Sequence, residues 1–183
     1  MASAGIEKGK ISVLSVERVF FGKAVFLPDT SSARVLSFSN WTLVKNGQSL
    51  YEYDRVRTDP SSRLEIRLKD QNRFILEQNS EVELVQNSTP PKVFLSEGKL
   101  VSLSFLSIES GEGTIISGSG QFTVEKKGNV TKIAVYKGKA TVSAEGKTVT
   151  LGENHGTRVK AGYPPEPVFE LPKPPLQIKM ETH

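Results

Sequence analysis

The chain has 183 residues, 37% of them hydrophobic and 24% charged, which leaves room for one hydrophobic core or for one domain and a tail. No apolar run approaches the roughly 20 residues that cross a bilayer as a helix, so no membrane-spanning helix is expected. The absence of cysteine excludes disulfides, thiolate metal sites and cysteine nucleophiles, and a net charge of +4 makes the surface mildly basic.

The N-terminal residues lack the apolar stretch of a secretory signal, and Met1-Ala2-Ser3 reads as an added leader. Short runs rich in β-branched and aromatic residues follow: Ile11–Val16, Lys23–Leu27, Arg34–Phe38 and Trp41–Val44. Turn formers such as Gly22, Pro28-Asp29 and Lys45-Asn46-Gly47 punctuate them. Tyr53–Thr58 leads into Arg63–Asp70, where Leu64, Ile66 and Leu68 alternate with Arg63, Glu65 and Arg67 as in a half-buried strand with its charges outward. Phe74, Leu76, Val82 and Leu84 keep one parity after the Asp70-Gln71-Asn72 break. Val101–Phe105, Gln121–Val124, Thr131–Tyr136, Lys139–Ser143 and Lys147–Leu151 continue the pattern, and Gly118-Ser119-Gly120 reads as a flexible bend. Twelve residues hold the apolar parity of their strands and are expected inside: Leu64, Ile66, Leu68, Phe74, Leu76, Val82, Leu84, Phe122, Val124, Ile133, Val135 and Val142.

Turn signals every 8 to 12 residues or so mark an all-β fold with little or no helix. Gly98, Gly128, Gly138, Gly146 and Gly152 are spaced quasi-regularly, which favours a β-solenoid-like stack of short strands, with a β-sandwich or roll as the alternative. From Gly162 onward the chain holds six of its ten prolines and reads as an extended linker, so the chain is expected to be a segment of a longer protein. The expected division is 1–49, strands packing on the core; 50–161, the main β domain; and 162–183, the proline-rich tail.

The residues that carry chemistry are few. His155 and His183 are the only histidines, so neither a histidine-based triad nor a multi-histidine metal site can be assembled, and no cofactor is implied. Glu81 and Glu83 share a strand face and, with Glu65, are the carboxylates a carbohydrate-active enzyme would use; outward-facing charge is the plainer reading. Between Lys126 and Lys160 eight basic residues stand against Glu145 and Glu153, a stretch suited to an acidic partner or to a solvated strand face that blocks edge aggregation. Only Tyr136 among them is aromatic, so the lysine–aromatic interleaving of nucleic-acid binders is missing. The N-x-S/T triplets at Asn40, Asn87 and Asn129 are short enough to arise by chance.

From about Leu50 to Val159 the chain resembles FecR-domain proteins, a bacterial envelope family. Tyr53–Thr58 is similar to the family's "gd-x-v-x-T" opening, Ser62–Asp70 to its "s-x-a-x-l-x-l-x-D" strand, Leu76–Val82 to "l-x-x-n-S-x-v", and Leu95–Leu100 to "L-x-x-G-x-l". Thr131–Val142 and Leu151–Val159 resemble the closing "t-x-v-x-V-x-x-G-x-v-x-V … l-x-x-g-x-x-x-x-v" segment. The chain departs from the pattern at Asp70-Gln71, where the family has Asp-Gly, and at Ser119-Gly120, where it has Gly-Thr.

The resemblance implies a non-enzymatic periplasmic or cell-envelope module with solenoid-like packing. In signalling members the domain relays occupancy of an outer-membrane iron-siderophore transducer to a sigma factor; in others it is joined to further surface or wall-binding modules. The proline-rich tail favours the second kind, an interaction module that binds a protein or an anionic envelope polymer. Lys132, Lys137 and Lys139 are the candidate partner-binding residues, since Lys132 lies opposite in parity to Ile133 and Val135 and the other two flank Gly138.

Overall fold

The computed structural model describes residues 17–172 and the short antiparallel pair β1 (Ile6–Glu7) and β2 (Lys10–Ile11). The remaining strands, in chain order, are β3 (Phe20–Phe26), β4 (Ala33–Ser37), β5 (Asn40–Leu43), β6 (Ser49–Tyr51), β7 (Arg55–Thr58), β8 (Leu64–Leu68), β9 (Arg73–Leu76), β10 (Glu81–Gln86), β11 (Lys92–Ser102), β12 (Leu106–Glu109), β13 (Ile115–Lys127), β14 (Val130–Ala144), β15 (Lys147–Leu151), β16 (His155–Lys160) and β17 (Phe169–Glu170). One 3-10 turn, Lys69–Gln71, stands between β8 and β9. The fold is all-β. The expected strand Ile11–Val16 lies outside the described residues apart from Ile11.

Strands β3 to β17 belong to one sheet. Its longest path runs β17-β16-β14-β13-β12-β11-β10-β7-β4-β5; β15 branches from β14, and β9, β8, β3 and β6 branch in series from β11. Among the described residues β11 and β12 form the one parallel pair; the other pairs are antiparallel, some as hairpins such as β13–β14 and some between strands distant in the chain such as β3–β8. This pairing does not confirm the preferred rung stacking, and the sandwich-or-roll alternative fits.

Three strands outgrow the segments read from the sequence: β11 has 11 residues, β13 has 13 and β14 has 15. Each changes partners along its length. β14 pairs with β16 over Val130–Val135 and with β15 over Ala140–Ala144, while β11 passes from β10 and β12 to β9 and β13. The changes occur at glycines. Gly120 and Gly138 face each other at φ 98° and 84°, next to a register shift between Gln121 and Phe122. A Cβ on Gly138 would sit 2.1 Å from the Ser119 carbonyl oxygen, and one on Gly120 2.3 Å from that of Lys137, so the two backbones approach as only glycine allows. Gly118-Ser119-Gly120 is thus part of a bent strand and not a flexible bend between strands. Gly98, at φ 90°, does the same beside Ser80, whose hydroxyl accepts the Lys99 N–H at 2.9 Å. Gly128 and Gly146 do lie in strand-joining turns.

Bent in this way, the sheet encloses a single hydrophobic core. All twelve residues expected inside are buried. One outward assignment was wrong: Glu65 is only 4% exposed and bonded to the Arg67 guanidinium at 2.7 Å, because central β8 is hydrogen-bonded between β3 and β9 and buries both faces at this point. The first residues of the proline-rich tail also stay with the sheet. Arg158 C=O accepts the Glu166 N–H, Thr157 Oγ1 donates to Glu166 C=O, and β17 pairs with β16.

Ile133 is 1% exposed in β14 between β13 and β16. Ile133→Ala is expected to destabilise the fold by about 2–5 kcal/mol in chemical denaturation. An unmoved midpoint would place β14 one residue out of register, which reverses every side chain of the strand.

Candidate partner surfaces

Lys132, Lys137 and Lys139 are all exposed on β14. Cross-strand register separates them. Lys132 lies opposite Glu125 of β13 and Arg158 of β16, at the edge of a shallow cleft of about 290 Å³ that includes Lys127. Lys137 is five residues farther along, about 16 Å at the rise of a strand. It faces Gln121, Lys139 faces Ser119, and the two flank the Gly138 bend. Exposed charges that far apart are screened from each other at physiological salt, where the Debye length is about 8 Å. The trio is therefore two sites: one cation in a mixed-charge row, and a lysine pair at the bend.

The opposite end of the sheet carries a second charged face. Cross-strand rows run Leu43–Arg34–Arg57–Glu81 and Trp41–Leu36–Arg55–Glu83 over β5, β4, β7 and β10. Arg55 ion-pairs with Glu81, and Trp41, the only tryptophan, has the Arg57 guanidinium 4.0 Å from its ring centroid and that of Arg55 at 5.8 Å. Of the carboxylates considered for acid–base work, Glu81 and Glu83 stay together on β10 and Glu65 lies on another strand, β8. Glu81 is engaged by Arg55, Glu83 is its neighbour on an outer face, and Glu65 belongs to β8 and is engaged by Arg67. His155 starts β16, with Nδ1 2.8 Å from the Glu153 carbonyl oxygen.

Where β7 begins, one carboxylate organises the corner between the N-terminal segment and β4, β6 and β7. Asp54 is 3% exposed. Its Oδ1 accepts from Arg18 at 2.8 Å and Ser37 at 2.7 Å, and its Oδ2 accepts the Tyr51 N–H at 2.9 Å. This is the aspartate of the Tyr53–Thr58 motif, and its burial accounts for an acidic residue at the head of a strand. The arginine that joins it, Arg18, gives no signal in the sequence, since 36 residues separate the pair.

The profile of the FecR protein family matches residues 54–141, from this buried aspartate to the far half of β14. The FecR likeness thus belongs to residues 54–141, a little under half of the chain. Two crystal structures, at 2.50 and 1.65 Å, of a candidate anti-sigma factor from Parabacteroides distasonis ATCC 8503 share the architecture, each with a TM-score of 0.55 at 13% sequence identity. The match covers 64% of this chain and 59% of that one, and at such identity it shows the fold alone. No curated protein sequence matches the chain. Among the described residues no helix is long and apolar enough to cross a membrane.

The basic strand is proposed to meet an acidic surface through two separate contacts. Lys132→Glu and the pair Lys137→Glu/Lys139→Glu should then each weaken salt-sensitive binding of the chain to envelope fractions. Their effects on log affinity should add, because sites more than about 7–10 Å apart without shared partners behave independently. Binding unchanged in both variants, or insensitive to salt, would remove the basic strand from the contact surface.

Proposed function

We propose that the chain is the protein-recognition segment of a FecR-type envelope regulator, passing on a signal through contacts with other proteins and without catalysis. The FecR match over residues 54–141 carries this reading. It favours the signalling branch of the family over the stand-alone wall-binding module that the proline-rich tail had suggested, and the likeness in fold to a candidate anti-sigma factor agrees. A regulator of this kind needs rigid recognition faces and no reactive constellation. The two outer faces supply such surfaces, on strands whose opposite sides are fixed in the core. Periplasmic or envelope placement, with residues 162–183 leading to further parts of the protein, belongs to the same proposal.

The test is an in-frame deletion of residues 54–141 in the full-length gene, followed by transcript profiling and cell fractionation. The proposal expects a coordinated set of genes sharing one promoter class to change, and the intact protein to fractionate with the envelope. Unchanged transcripts together with altered wall binding or envelope integrity would instead establish the stand-alone module.

A further inference from the structure

Two bulky aromatic residues occupy backbone conformations that favour glycine. Phe38 opens the two-residue turn between β4 and β5 at φ 66°, and Tyr53 takes φ 72° in the turn that the Asp54 N–H closes on the Tyr51 carbonyl. An L residue with a bulky side chain is strained in the left-handed region. Core packing does not explain the rings, for Phe38 is 78% exposed and Tyr53 70%. They border one cleft of about 330 Å³ at the Asp54 corner.

The corner is held firmly enough to keep both conformations. Beyond the three bonds to its carboxylate, the Asp54 C=O accepts the Leu84 N–H at 2.9 Å, and the Tyr53 N–H donates to the Leu84 C=O. Strained residues persist where their surroundings over-determine them, and such positions cluster at ligand clamps. A preformed cleft also avoids the cost of ordering its walls on binding.

Charge selects the ligand. Arg18 is committed within the corner, bonded to Asp54 and Ser37 and lying over the Tyr51 ring at 4.1 Å and the Phe38 ring at 5.0 Å. Glu17 and Glu52 make no ion pair among the described residues, and Glu52 uses one oxygen to accept the Asn87 N–H at 2.7 Å. With Arg18 and Asp54 neutralising each other, the cleft keeps two negative charges beside two exposed rings, on a chain whose net charge is +4. Aromatic faces next to carboxylates bind cations, whereas an acidic group is repelled.

We infer that this cleft is a docking site for a lysine or arginine side chain presented by an extended segment of a partner protein. The inference rests on the reading that the chain recognises another protein, and it adds a second surface of opposite sign to the basic strand.

The experiment is an NMR titration of the intact chain with a Lys-Gly-Lys-Gly-Lys peptide and its Glu-for-Lys and Ser-for-Lys counterparts. Saturable shifts confined to residues 17–19, 38 and 51–54 are expected with the lysine peptide alone. Phe38→Asn/Tyr53→Asn, which tolerates positive φ but removes both rings, should bind at least about tenfold more weakly with an unchanged or higher thermal midpoint. Glu17→Gln/Glu52→Gln, which leaves a hydrogen-bond acceptor for Asn87, should keep the fold and lose affinity as well. Absence of saturable shifts, equal response to the glutamate or serine peptide, or full binding by either variant would overturn the inference. So would an asparagine variant that fails to fold, since the rings would then be structural. The titration reads the cleft alone, whereas the transcript profile reads regulation, so either proposal can fail without the other.

Discussion

The close approach of two backbones at Gly120 and Gly138 is the constraint on which the rest of the structure depends. A strand as long as β14 would, if straight, extend a flat sheet with two open faces. With its partner β13 bent at the same level, the two hydrogen-bonded halves of the hairpin turn toward different neighbours, β16 on one side of the bend and β15 on the other. A single sheet can thereby bury one face in a common core and leave the other in water. Gly98 repeats the device in β11, with Ser80 filling the space that a side chain would need.

The proposed contact surfaces depend on the same geometry. The bend lies between Lys137 and Lys139, five residues and more along the strand from Lys132, so the basic strand is divided between two levels of the sheet. At the other end, the Asp54 corner joins the N-terminal segment to β4, β6 and β7 and sets two aromatic rings beside Glu17 and Glu52, which make no ion pair among the described residues. The molecule thus presents a basic surface and an acidic aromatic cleft on one scaffold. A protein that relays a signal by contact needs such distinct and rigid surfaces more than it needs a reactive centre.

The core was legible in the sequence because period-2 alternation records burial directly: Leu64, Ile66 and Leu68 in β8, and Ile133 and Val135 in β14, show it and are buried. The extent of the strands was not legible. A glycine that bends a strand and a glycine that ends one look alike in one dimension, so Gly98, Gly120 and Gly138 read as breaks, whereas Gly128 and Gly146 are indeed in turns. Glu65 shows the limit of alternation, since in a central strand the polar parity can be buried too. The Asp54 corner escaped for a different reason. Its parts come from residues 17–19, 37–38 and 51–54, and nothing local distinguishes an aromatic in a strained turn from one at the end of a strand.

The direct test compares two alanine substitutions at glycines of similar φ. Gly138 has φ 84° with backbone 2.1 Å from the site of a Cβ, whereas Gly146 has φ 76° and nothing within 4 Å. Both variants share the strain of a left-handed alanine, about 1–2 kcal/mol. Gly138→Ala should lose on the order of 1–3 kcal/mol more in denaturant unfolding, because the added methyl is forced against packed backbone. Equal losses at the two positions would contradict the account, since the bend would then need no close approach and the sheet would have to close over its core by other means.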